Sequence, residues 1–421
     1  MIKNAIRKKL GIFVALGMLC GYECTISILD FLGVATRPYS ILIRSLILLA
    51  SLMLLLLNAR AKSNNNSTFE FQRYDFLFFC FWALYLARLL FTTVSYDDRL
   101  YLDIAEYWIW ALLVCFIPAS SILFIPQSFV SNLKKEFHRY IYIALFVCLI
   151  SFVLVFFTSF SLIEGRISNS TILTGRFQIP HLNPISVAYI CSLFLLHIFV
   201  SHKNNLFLYF TSSKNSAIVI TAFFFLLLSS SRGPLIAFIL SMMLFIYKNK
   251  NLYKPLYKPH LLVTLLLVTI AFQEFTNFFL GNSYRLANAL SILSSPLSTP
   301  SSSLYDASAS DRLTRYKLAI DYIIESPLFG RYIELPNAKG YPHNLLLEAL
   351  LSTGFLGTFI LGFLFYTVIK KGLISRLDIF SEYIYIAFFF YFIAVQFSGA
   401  IYNSLALWTT LSLLILYFRR V

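Results

Sequence analysis

Residues 140–162 read YIYIALFVCLISFVLVFFTSFSL, twenty-three positions without one charged side chain. About 20 apolar residues in helical form cross the hydrocarbon core of a bilayer. Runs of the same kind lie near 10–29, 39–57, 76–95, 104–125, 185–201, 216–230, 234–247, 261–280, 343–368, 383–398 and 402–418, which makes twelve candidate helices. The whole chain agrees with this stretch. Of its 421 residues 59% are hydrophobic and 13% charged, with a mean hydropathy of +0.76. A soluble domain is roughly half apolar and about a quarter charged. A soluble enzyme, a secreted disulfide scaffold and a disordered chain are therefore excluded. The expected fold is an all-α polytopic membrane protein.

The net charge of +15 raises the question of nucleic acid, and the placement of the charges answers it. With the basic start Lys3, Arg7, Lys8 and Lys9 on the inside, alternate loops hold Arg60, Lys62 and Arg73, then Lys134, Lys135 and Arg139, then Lys203 and Lys214. Lys248, Lys250, Lys254 and Lys258 follow, then Lys370, Lys371 and Arg376, and finally Arg419 and Arg420. These are 21 of the 34 basic residues, and the same segments hold only five acids: Glu70, Asp75, Glu136, Asp378 and Glu382. Cytoplasmic loops carry such an excess, so both termini are expected in the cytoplasm. No nucleic-acid partner is implied.

The six cysteines, Cys20, Cys24, Cys80, Cys115, Cys148 and Cys191, all fall within apolar runs. There they act as small hydrophobes, and no disulfide framework is expected. The basic then apolar start lacks a small-residue cleavage site, so an uncleaved first helix is expected.

Organisation comes from the outer side. Residues 1–280 are expected to form helices 1–9 with short loops, apart from an outer loop at 161–184. Residues 281–342 form a long outer loop, and 343–421 helices 10–12. Within the long loop, Asp311–Ser326 places Leu313, Tyr316, Ile320, Ile323 and Ile324 at helical spacing. Ser310 is positioned as an N-cap and Pro327 as a stop. This predicts an amphipathic helix over the outer face.

That face is rich in arginine. Arg37, Arg44, Arg88, Arg99, Arg166, Arg176 and Arg232 lie at or near it, and the long loop adds Arg285, Arg312, Arg315 and Arg331. Arg88 stands inside an apolar run, YLARLLF, where a charge needs a partner or a wet cavity. Single arginines here can snorkel to lipid headgroups. A whole set on one side instead suits phosphate oxygens, which the planar guanidinium fork matches. Only His181 and His343 among the six histidines face outward.

Two stretches carry the chemistry. In SSSRGPLIAF, 229–238, a tight turn presents Arg232, and Pro234 stands at the start of a helix whose free N–H groups favour an anion. The same turn also reads as a plain hairpin with an arginine anchor. In YPHNLLLEALLSTGFLG, 341–357, Tyr341 and His343 sit where the long loop meets a helix, and Asn344 and Glu348 share a face one turn apart. A histidine at such a place also serves as a cap or core residue.

At these stretches the sequence resembles the O-antigen polymerase and O-antigen ligase superfamily. The resemblance rests on SRGPL at 231–235, HNLLLEALLSTGFLG at 343–357, SDRLTRYKLAIDYIIESPLFG at 310–330 and GRFQIPHLNPISVA at 175–188. It implies a membrane fold like that of the C-type glycosyltransferases, in the bacterial inner membrane, with the active site facing the periplasm. It implies undecaprenyl-diphosphate-linked oligosaccharide as donor and acceptor, membrane lipids as surroundings, and a chain-length regulator protein as partner. No metal or other cofactor is implied.

By the resemblance, Arg232 and His343 are catalytic: Arg232 neutralises the leaving diphosphate and His343 takes the acceptor's proton. Arg176, Arg312, Arg315, Arg166 and Arg88 are candidate diphosphate ligands, with Arg166 and Arg176 competing for one place. Tyr341, Asn344, Glu348 and His181 are supporting residues. The motifs resemble polymerases more than ligases, which share the donor but transfer to lipid A–core. A lipid-linked oligosaccharide flippase is the alternative of another class. It needs a charged path open to both faces and no long outer loop with a histidine.

Overall fold

A computed structural model describes residues 2–34, 36–64, 72–95, 100–125, 127–161, 182–229, 231–250, 307–336, 338 and 340–419. Among them the chain is helical, with an isolated β-bridge between Leu335 and Gly340. Eight helices are long and apolar enough to cross a membrane. They comprise Ala5–Phe31, Pro38–Ala59, Arg73–Ser95, Ile104–Leu123, Glu136–Phe157, Pro184–Ser201, Leu345–Ile374 and Ile379–Ser398. Ser213–Leu228 and Leu405–Phe418 are shorter apolar helices, and Arg232–Lys248 covers the run expected at 234–247. The run at 261–280 lies outside the described residues, as does the first part of the long loop.

The helices are numbered in chain order: α1 (Ile2–Leu16), α2 (Tyr22–Phe31), α3 (Thr36–Asn64), α4 (Arg73–Ser95), α5 (Ile104–Trp108), α6 (Ile117–Leu123), α7 (Gln127–Ser161) and α8 (Pro184–Ser201). Next come α9 (Leu206–Thr211), α10 (Ser213–Leu228), α11 (Arg232–Lys248), α12 (Ala307–Glu325), α13 (Leu345–Ile374), α14 (Ile379–Ser398) and α15 (Leu405–Phe418). Two spans contain wider π turns, Gly17–Gly21 between α1 and α2 and Ile109–Phe116 between α5 and α6. Such turns recur at functional and closely packed places. At Gly17 a Cβ would stand 2.8 Å from Ile47 of α3, so the absence of a side chain sets that approach.

The core is aromatic. Trp82 of α4 meets Trp408 of α15 at 4.9 Å between ring centroids, and Phe78, Phe81 and Phe116 pack around them. Ser and Thr within the spans bond back to their own helix, as Ser51 does to the Ile47 carbonyl and Thr409 to that of Leu405. Where lipid offers no partner, a helix must satisfy its own polar groups.

One end of the bundle is closed by ion pairs. Lys8 pairs with Glu136 at 2.5 Å, Lys134 with Asp378, Lys203 with Glu382 and Arg419 with Asp75. These are residues of the segments that the charge pattern assigns to the inside. Lys248, at the end of α11, donates to the carbonyls of Gly372 (2.6 Å) and Ser375 (2.8 Å) beyond the end of α13.

The other end holds the long loop, and the fold there departs from expectation. The loop helix begins at Ala307 rather than 311, so Ser310 lies inside it, and it ends at Glu325 before Pro327. Its apolar positions share one broad face, only one edge of which is covered. Tyr316 and Ile323 turn inward, while Leu313, Ile320 and Ile324 are exposed. The inward side packs Ala319 and Ile323 against Tyr332, Leu335 and Leu351.

The following segment, 326–332, threads into a break in α13 at Gly354, whose φ and ψ are +64° and −164°. Phe355 N–H donates to the Pro327 carbonyl (2.7 Å) and Leu356 N–H to that of Leu328 (3.2 Å). In return the Leu351 carbonyl accepts from Arg331 and Tyr332 N–H, at 2.9 and 3.2 Å. Both glycines at the crossing, Gly330 and Gly354, have φ of +64°, which side chains rarely allow. A Cβ on Gly354 would lie 2.3 Å from the Leu328 carbonyl carbon, and one on Gly330 2.5 Å from that of Ser352. The strap and the broken helix therefore need glycine on both sides.

Candidate active site

His343 precedes α13 with φ of +58°, the single non-glycine residue of positive φ among those described. Such backbone costs energy and persists only where surroundings fix it. Its neighbours do so. The Tyr341 ring stands edge-on to the imidazole at 4.4 Å, and Tyr341 in turn meets Tyr402, which meets Tyr107 at 5.1 Å. Asn344 is the N-cap of α13, accepting from the N–H groups of Leu346 and Leu347 at 3.0 Å each. Its amide donates to the Gln396 carbonyl (3.1 Å), tying His343 to the end of α14. Asn344 is thus a structural cap, a role that satisfies orphan helix donors.

Glu348 does not reach the surface with it. Glu348 is buried, and its Oε2 accepts from Ile401 N–H at 2.9 Å. The face shared by Asn344 and Glu348 is an internal one that pins the α14–α15 turn.

Arg312 and Arg315 come from α12 and act on His343 through their charge. Burial first, then these two guanidinium groups, push the imidazole down to about 4, with Asp311 opposing them. The ring is neutral at pH 7, as a general base must be. Arg315 bonds Asp311 at 2.8 Å one turn earlier, and its Nη1 lies against the Gly340 backbone, 2.9 Å from where a Cβ would stand. The Tyr316 hydroxyl sits beside the Asn344 amide and the Arg312 charge, although burial dominates and raises it.

Arg232 opens α11, with Pro234 third in that helix rather than first. Gly233 beside it lies against Phe397, 2.8 Å from that Cβ to an added one. Gly233 and Asn344 thus adjoin neighbouring residues, 397 and 396, at one end of α14. The structure brings His343, Arg312 and Arg315 together, and Arg232 to the same end of the bundle.

Arg88 has a different place. Its Nε donates to the Ser352 carbonyl (3.1 Å), and its Nη2 to those of Phe329 (3.0 Å) and Gly330 (2.7 Å). The guanidinium expected to bind phosphate instead clamps the strap into the broken helix. Arg44 is likewise spoken for, between the rings of Tyr22 and Trp110 at 4.6 and 4.3 Å. Arg166, Arg176 and His181 lie outside the described residues.

Sequence reading missed two residues near the site. Glu334 is buried, accepts from Tyr101 N–H at 2.9 Å, and is raised by burial against the Tyr107 hydroxyl, the Tyr101 N–H and the Arg315 charge. Nothing in RYIELPNAKGY marks that acid as internal. Gln396, a polar residue near the end of the apolar run 383–398, did carry a signal.

Residues 217–362 match a family model described as O-antigen ligase. The matched segment is about a third of the chain, and it contains Arg232, Arg312, Arg315 and His343 but not Arg88. The match supports the O-antigen polymerase and ligase superfamily, membrane enzymes of glycosyltransferase type, without separating the two. It gives a flippase no support. No curated protein and no solved structure matches the chain.

Proposed function

We propose that the chain is a polysaccharide polymerase of the bacterial inner membrane. In this reading it has about twelve helices, both termini are cytoplasmic, and residues 281–342 form a periplasmic loop over the site. It joins undecaprenyl-diphosphate-linked repeat units at the periplasmic face by metal-independent, inverting transfer. The observation that carries the reading is the meeting of His343 with Arg312 and Arg315 inside the matched segment.

The chemistry follows from those groups. The neutral His343 ring removes the proton of an acceptor hydroxyl as its oxygen attacks the donor's anomeric carbon. The bond from that carbon to the diphosphate breaks, and undecaprenyl diphosphate leaves with the bonding electrons. Arg312, Arg315 and Arg232 offset its charge, which is the largest electrostatic demand of such a step. Arg176 or Arg166 would complete the cradle. Tyr341 positions His343, and the cap at Asn344 holds it at the helix start. A regulator protein would set chain length.

The test uses purified protein in detergent with an undecaprenyl-diphosphate repeat unit and chelator, the products being sized on a gel. A ladder from this substrate alone is expected. Transfer only after lipid A–core is added would replace the polymerase with a ligase, the second reading, which the description of the matched family favours.

A further inference from the structure

The loop helix α12 has more apolar surface than its packing uses. Its inward side is accounted for by Ala319, Ile323 and their partners. Leu313, Ile320 and Ile324 form a stripe along the outward edge of its apolar face, with Ile324 70% exposed. The strap continues that stripe through Leu328 and Phe329, the latter 62% exposed. In water, so long a row would be a liability.

Its continuation says what covers it. The strap is hydrogen-bonded into α13 next to exposed Phe355 and clamped by Arg88 of α4, whose guanidinium lies 5.3 Å from the ring of exposed Phe91. Both helices are apolar enough to cross a membrane, so their outward aromatic rows face lipid. The break at Gly354 is nine residues into α13, roughly 14 Å from its start at 1.5 Å per residue. Arg88 stands seven residues inside the end of α4, whose 23 residues just span the hydrocarbon core, so Phe329 is held at membrane depth by its hydrogen bond to Arg88. Irregular backbone at that depth survives only when its polar groups are satisfied, which the crossing bonds and Arg88 achieve. Exposed Lys317 borders the stripe and Asp321 and Glu325 lie further round, the order expected for a helix at a lipid–water boundary.

We propose that α12 and the strap form an interfacial element, with Leu313, Ile320, Ile324, Leu328 and Phe329 sunk among phospholipid acyl chains. Its other side holds Arg312 and Arg315 over His343. The helix thus floats the two arginines at the level where the diphosphate of a lipid-linked molecule lies. The seat depends on the spans being in a membrane, not on the glycosyl-transfer reading.

Single nitroxides test it. Cys24 and Cys80, the two partly exposed cysteines, are first replaced by serine. Labels are then placed by cysteine substitution at 313, 320, 324 and 329, with 321 and 325 as controls. The protein is reconstituted into phosphatidylethanolamine–phosphatidylglycerol vesicles and relaxation by oxygen and by a water-soluble nickel chelate is compared. The oxygen-to-nickel ratio should be at least about fivefold higher at 324 and 329 than at 321 and 325, since oxygen concentrates in the chains, and should fall from 329 to 313. Nickel access at 320 and 324 equal to that at 321 would overturn the seat. So would exclusion of both reagents there, which would mean that protein covers the stripe. A chain that shows the gradient yet extends no glycan would defeat the polymerase reading and leave the seat standing.

Discussion

At the end of the bundle closed by Lys203–Glu382 and Arg419–Asp75, each buried acid has a cation of its own. At the end built around His343 the arrangement differs. Arg312 and Arg315 face a histidine, Asp311 pairs with Arg315 at 2.8 Å, and buried Glu334 and Glu348 accept from backbone N–H groups, Glu334 with the Arg315 charge nearby. Paired charges lock helices together and ask for nothing further. Arginine charge held beside a neutral base is a poor way to stabilise a fold and a good way to receive an anion. Stability and chemistry are thus divided between the two ends, and substitutions can separate them.

The largest effect belongs to the His343 end. Replacing His343 by asparagine, which tolerates a positive φ, keeps the turn and removes the base. Glycan extension should drop by roughly a thousandfold or more, with the protein inserted at normal abundance. Ordinary chain growth on a product gel would remove His343 from the reaction and leave both ends structural.

Lys203→Ala should do the opposite. Glu382 is almost fully buried and would keep the amide of Asn249, at 2.6 Å, and the charge of Lys248 nearby. Losing one partner of a buried pair costs about 3–5 kcal/mol, visible as a lower thermal midpoint in detergent. Transfer per folded molecule should be unchanged, and a loss of rate in the folded fraction would show that the ends are coupled.

Arg88→Ala sharpens the comparison from a third side, since it removes a donor from three carbonyls, of which that of Gly330 keeps the Ser326 hydroxyl and that of Phe329 is exposed. A loss of about 1–2 kcal/mol is expected, an unmet buried group costing roughly 1 kcal/mol or more. If Arg88 serves the strap rather than phosphate, the variant's remaining activity should keep the wild-type dependence on substrate concentration. A large rise in KM with little loss of stability would return Arg88 to the anion site.

The smallest effect is one of pH. A base works only when unprotonated, so activity should fall on the acid side as pH passes through the pKa of His343, pushed down to about 4. Arg312→Ala with Arg315→Ala removes two of the causes, and burial remains. The acid limb of kcat/KM should therefore move up, part of the way toward the ordinary imidazole value of about 6.5. An unmoved limb would show that the two guanidinium groups do not govern the ring.

Much of this was legible in the chain itself. Eleven of the twelve apolar runs are helices in the structure, because an unbroken stretch such as 140–162 has only one economical form in lipid. A grouping of His343 with outward arginines was expected from residue type and from a resemblance, but not which arginines stand beside it. The strap was not. TGFLG at 353–357 lies in a run that is helical on either side, and SPLFG at 326–330 looks like an ordinary stop, so neither shows that one passes through the other. Arg88 was misread for the same reason. A lone charge in an apolar run announces that it needs a partner, but not that the partner is backbone.

The sequence by itself determined that this is a membrane-spanning helical chain and which loops carry the positive charge. Hydropathy and charge are sums over side chains and survive without coordinates. Only the tertiary structure decided that α13 is broken, that Arg88 holds the break, that Glu348 is internal, and that the loop helix leaves part of its apolar face uncovered. Each of these depends on which backbone groups lack a partner, and that is fixed by what packs beside them rather than by their own identity.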